Sequence, residues 1–156
     1  MKEHGLSHIL LTNNQEKTML KIVNSEINLE VTPFEKITNT TETGFYHEWL
    51  KMYVEFQAKG INLTTTWECY IGELEEFYSQ LIDLKDSSIA KQVIFSPMEG
   101  MITMIISKNI GPEESYSFKF KIATSVRSDF FVEGIIGMDQ TYIHGIIEGV
   151  HNLIHY

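Results

Sequence analysis

Apolar and polar residues alternate along much of the chain, which marks strands with one face buried. Ile27, Leu29 and Val31 alternate with Glu26, Asn28, Glu30 and Thr32, and Pro33 is expected to end that strand. Before it, MLKIV reaches a turn at Asn24–Ser25; after it, EKITNTTETG is a polar loop closing near Gly44. Leu50, Met52, Val54 and Phe56 then share one face, and Lys59–Gly60 turns the chain into INLTTTWECY, where Ile61, Leu63, Thr65, Trp67 and Cys69 do the same. Short turns between such strands predict an antiparallel meander with one solvated side.

The period next lengthens from 2 to 3.6. In GELEEFYSQLIDL, Leu74, Phe77, Tyr78, Leu81 and Ile82 form an apolar arc on a helix, followed by a loop at LKDSSIAKQ. Further strands are predicted at KQVIFSP, GMITMIIS, YSFKFKIAT and FFVEGII, with GPEE at 111–114 as a turn, and Asp139 is a good N-cap for a closing helix from Gln140. The expected architecture is α+β: a single antiparallel sheet of about six or seven strands with two helices packed on one face. One domain spans 1–156, with 1–18 as a weakly ordered start, and the sequence carries no internal repeat.

Composition adds limits. Hydrophobic residues make up 43% of the chain, ordinary for a globular domain, and no run approaches a membrane span. MKEHGLSHILL is too short and polar for a secretory signal, so a cytoplasmic protein is expected. Cys69, the single cysteine, lies in a strand and reads as a small buried apolar group. The net charge of −9, from 12 basic and 21 acidic residues, argues against nucleic acid and anionic membrane as partners and is compatible with a basic protein, although solubility alone also explains it.

No phosphate-binding glycine loop, nucleophile elbow or zinc-binding helix motif is present, so an enzyme is not expected, and no cofactor is implied. His144, Glu148, His151 and His155 form one row on the last helix, where two histidines four apart have metal-ligand spacing. At about 100° per residue, however, the apolar residues from Tyr142 to Ile154 occupy roughly 0–140° and the row roughly 180–240°. The row is therefore expected to be wet: a solvated face, a partner contact or, least of all, a metal site. Gly145 and Gly149, each costing about 1 kcal/mol against alanine, suggest close backbone packing beside the arc. Glu73, Glu75, Glu76, Asp83 and Asp86 on and after the first helix offer an acidic surface to a basic partner, or merely fill its solvated face. Trp49, Tyr53 and Trp67 are aromatic strand residues, more often core or cross-strand pairs than a ligand box.

Several segments in this order resemble a known family: INLEVTPFEK, EWLKMYVEF, the tryptophan of TTWECY leading into LEEFYSQLIDL, EGMITMIIS and MDQTYIHGIIEGVHNLI. Together, over roughly residues 20–156, they resemble the WapI-type immunity proteins, small cytoplasmic proteins encoded beside wall-associated contact-dependent toxins of Bacillus-like bacteria. The resemblance implies a non-enzymatic inhibitor that binds a cognate toxin domain, often a basic nuclease; it carries no functional residue across by motif. The alternative from the residues themselves is a small-molecule or metal-binding regulatory module, suggested by the histidine row and the aromatics. Nothing in the sequence fixes an oligomeric state.

Overall fold

The computed structural model describes residues 19–156. The weakly ordered start expected at 1–18 lies outside the described residues. Four strands come first: β1 (Leu20–Val23), β2 (Ile27–Thr38), β3 (Glu48–Ala58) and β4 (Ile61–Tyr70), with a single 3-10 turn at Gly44–Tyr46 between β2 and β3. Helix α1 (Ile71–Asp86) follows, then β5 (Lys91–Phe95), β6 (Ile102–Asn109), β7 (Ser115–Ala123), β8 (Phe131–Met138) and helix α2 (Gln140–Ile154).

The strands do not form one sheet. They form two antiparallel sheets of four, ordered β1-β2-β3-β4 and β5-β6-β7-β8, which corrects the single sheet of six or seven strands. The physical reason lies at the first helix. α1 starts at Ile71, directly after β4, and carries the chain to β5, which pairs with β6 and not with β4. Each sheet has one apolar face, and the two faces are buried in one core. Leu29, Val31, Leu50, Met52, Val54, Trp67 and Cys69 enter it from the first sheet, and Met104, Ile106, Phe118, Phe120 and Ile122 from the second. The Phe56 and Phe120 rings meet at 5.2 Å across it.

Local chemistry explains the element ends. Asn24 Oδ1 accepts from the backbone N–H groups of Glu26 and Ile27, both at 2.8 Å, and closes the β1–β2 turn. β2 continues through Pro33 to Thr38 instead of stopping there. β1 pairs only as far as Val31, so the missing proline N–H falls where no strand lies on that side, and a register shift between Pro33 and Glu35 absorbs the irregularity. Gly60, at φ +77°, takes the left-handed position in the β3–β4 turn. Asp139 Oδ1 accepts from Thr141 N at 2.9 Å and caps α2; the bond from the Thr141 hydroxyl, and then this backbone bond, hold its carboxyl below the usual range.

The order of four antiparallel strands and a helix occurs twice, a topological repeat that the sequence does not display. The two units are interlocked rather than stacked. α1 packs on α2 and on β5, while α2 packs on α1 and on β1, so each helix lies against the first strand of the other unit. Gly149 permits the second contact: a Cβ there would sit 2.7 Å from Leu20 Cδ1 and 2.9 Å from Met19 O. Gly145 meets nothing within 4 Å, so close packing explains only one of the two helical glycines.

A lysine fastens each helix end to the opposite unit. Lys108 of β6 donates to Lys85 O and Ser87 O, both at 2.7 Å, at the C-terminal end of α1, and pairs with Glu114. Lys36 of β2 donates to Ile154 O at 3.1 Å and Tyr156 O at 3.0 Å at the C-terminal end of α2, and pairs with Glu48 at 3.1 Å. The register correspondence is complete. Lys108 lies opposite Tyr116 and Lys36 opposite Leu50, and each glutamate stands two residues before that opposite residue. Both lysines place positive charge where helix carbonyls lack partners.

Candidate ligand-binding site

The β2–β3 connection, residues 39–47, organises two adjoining cavities at one end of the first sheet. His47 is the pivot: its Nδ1 lies 2.8 Å from Glu42 O and 3.1 Å from Asn39 O. Carbonyl oxygens only accept, so Nδ1 carries the hydrogen, and Nε2 of the neutral ring is left as an acceptor. Asn39 N donates to His47 O at 2.7 Å and Asn39 Oδ1 accepts from Thr41, which fixes the loop.

On the solvent side of the sheet, Ile37, Trp49 and Tyr70 lie side by side across β2, β3 and β4. Trp49 and Tyr46 each meet the Tyr70 ring edge-on, at 4.6 Å and 5.0 Å. With Thr38, Asn39, Thr40 and His47 they enclose a groove of about 500 Å³. No lining residue is acidic or basic apart from His47, although the chain carries 33 such groups (12 + 21).

Beside His47 a second cavity of about 440 Å³ opens between the β2–β3 connection, the start of α1 and the end of α2. Its polar wall consists of Lys36, His47, Glu48, Glu75 and His155. Gly72 lets α1 approach closely there: a Cβ on it would fall 2.5 Å from the Phe45 ring and 2.7 Å from Phe45 O.

The acidic patch expected on the first helix is dispersed. Glu73 is committed internally, since its two carboxylate oxygens accept from Tyr70 N at 2.9 Å and Met98 N at 2.8 Å. Glu75 borders the polar cleft, whereas Glu76 and Asp83 face the β5 side of α1 and Asp86 ends the helix. His144, Glu148, His151 and His155 are all exposed, as the helical wheel requires. Within that row the His151 and His155 rings stack at 4.2 Å, His155 Nδ1 bonds His151 O at 2.8 Å, and His151 lies 5.7 Å from the Tyr78 ring of α1. Among the described residues no group of three or more His, Cys, Asp or Glu is placed to hold a metal ion. Cys69 is fully buried, and burial, with the Glu73 charge adding to it, pushes its thiol well above the ordinary value.

The sequence-based site therefore contributes Glu75 and His155, while Lys36, Ile37, Tyr46, His47, Glu48 and Tyr70 were missed. A signal was present: GFYHEW places three aromatics among five residues, from Phe45 to Trp49, after a polar loop.

No family model matches the chain, and no curated protein matches it. Solved structures that the chain resembles in part include two plant proteins. One is the plant transcriptional regulator PBF-2, at 7% identity and TM-score 0.40, over 87% of this chain and 79% of that one. The other is WHY1 from Arabidopsis thaliana, at 10% identity and TM-score 0.43, over 87% of each chain. Neither of these two is a toxin inhibitor, and the expectation of a toxin-neutralising immunity protein is withdrawn, together with its basic toxin-domain partner. The exclusion of nucleic acid is withdrawn as well, because a net charge sums over the whole surface and rules out no local contact. Likeness at this level supports nothing finer about function. Among the described residues no helix is long and apolar enough to cross a membrane.

Proposed function

We propose that this chain is a non-catalytic binding domain whose aromatic groove takes the uncharged ring of a small molecule. The carrying observation is the groove of about 500 Å³ walled by Ile37, Tyr46, Trp49 and Tyr70, with no carboxylate or ammonium in its lining. Pockets for small ligands are concave, largely apolar and of roughly 300–1,000 Å³, with a few polar groups that orient the ligand. His47, Thr38 and Thr40 supply those groups here. A neutral, partly aromatic lining rewards a flat apolar ring, which stacks or meets ring edges without desolvating a charge.

The absence of catalysis is part of the proposal. Its support is Cys69, a thiol held protonated by burial and thus unsuited to nucleophilic attack. We place the domain in the cytoplasm, where a single free thiol stays reduced.

The test is a titration with p-cresol followed by ¹H–¹⁵N spectra. The indole N–H signals of half-buried Trp49 and fully buried Trp67 are separate reporters. Saturable shifts of the Trp49 signal, with Trp67 unmoved and binding weakened in Tyr70→Ala, are expected. A Trp49 signal that stays in place up to millimolar p-cresol would remove the groove as a ring site.

A further inference from the structure

We infer that the polar cleft beside the groove is a second binding site, specific for an alkylammonium or guanidinium group. The two lysine clasps provide the comparison that reveals it. In the Lys108 clasp, the residue opposite the lysine is Tyr116, whose hydroxyl donates to Glu114 at 3.1 Å and completes the set of donors. In the Lys36 clasp the corresponding residue is Leu50, which has no donor to give Glu48. A cavity of about 440 Å³ adjoins that carboxylate instead.

The side chains that remain on the cavity wall accept and do not donate, beside the first turn of α1, where Ile71 and Gly72 line the cavity with backbone donors. Lys36 already serves Ile154 O, Tyr156 O and Glu48, which uses its three N–H bonds. His47 and His155 both have Nδ1 against backbone carbonyls, so both neutral rings keep Nε2 as an acceptor. Glu75 adds an exposed carboxylate. One lysine against two glutamates leaves the wall with one formal negative charge. A ligand that carries one positive charge and several N–H donors balances that charge and serves the accepting side chains, whereas an anion would add to the charge. An ammonium or guanidinium group on a short alkyl chain meets that requirement. The site is independent of ring binding in the groove, from which it is separated by His47.

The experiment uses the full chain with 1-aminopentane as probe and 1-pentanol as its uncharged counterpart, read by calorimetry and by ¹H–¹⁵N spectra. Saturable binding of the amine, with shifts at His47, Glu75 and His155 and none from pentanol, is expected. Glu75→Gln, a surface substitution, should weaken the amine roughly tenfold, as loss of a charge-assisted hydrogen bond does. Tyr70→Ala should leave it unchanged, which keeps failure here distinct from failure of the aromatic groove. Undetectable amine binding, equal binding of pentanol, or an affinity indifferent to Glu75→Gln would overturn the inference.

Discussion

The two lysine clasps share a register and differ in their surroundings. Lys108 has a side chain only 4% exposed, and its carboxylate partner is further bonded by a tyrosine hydroxyl. Lys36 is 23% exposed, and a leucine stands where that tyrosine would be. One construction thus serves as a sealed fastening in one unit and as the wall of an open cleft in the other. The difference lies in the lysines, since Glu114 at 28% and Glu48 at 32% are exposed alike, and a buried ammonium needs all of its protons accepted. The open clasp has water to substitute for a partner, and it is there that a ligand finds room.

Lys108→Ala is expected to have the largest effect. It leaves Lys85 O and Ser87 O at the end of α1 without the buried ammonium, and a loss of about 2 kcal/mol is expected in urea unfolding. Lys36→Ala should cost less, about 1 kcal/mol, because water reaches the groups it leaves behind. Equal losses for the two variants would show that the clasps do not differ as their exposure indicates.

The smallest effect concerns pH. The hydrogen bond from Lys108 holds the Glu114 carboxyl below its ordinary value of 4.5. Its contribution is therefore present above that value and lost as pH falls through the lowered one. Burial, and then the bond to Glu114, push the Tyr116 hydroxyl from 10.0 up to about 12. The folded state thus favours the protonated phenol, a stabilisation complete below pH 10 and lost as pH rises toward about 12. Unfolding midpoints measured across that window should fall more steeply for wild type than for Tyr116→Phe. Parallel curves would mean that the phenol does not titrate as part of the clasp.

The individual elements were largely legible because each follows from local rules. Alternation revealed the strands, and the apolar arc of α2 correctly assigned Ile143, Ile146, Ile147, Val150 and Leu153 to the core. Asp139 marked the start of that helix. The arrangement of sheets was not legible, since alternation reports that a strand has a buried face without naming its neighbour. Pro33 misled for a similar reason: its cost depends on whether β1 extends beside it, and β1 does not. The site was hidden still more deeply. Lys36 and its carbonyl partners are 118 and 120 residues apart, and the role of Glu73 depends on Met98 arriving from beyond α1. Only Glu75 and His155 carried over, brought to one cavity from helices whose surfaces had been considered separately.

The separation of the clasps along the chain also orders the events of folding. The Lys108 ties close loops of 21 and 23 residues, whereas those of Lys36 close loops of 118 and 120. Logarithmic loop-closure entropy makes the longer closure dearer by about 1.5 kcal/mol. The end of α2 is thus expected to be tied last and to slip first, with amide exchange beginning there while α1 is still held. A small cation seated in the cleft would act as a splint on the part of the molecule that most readily comes loose.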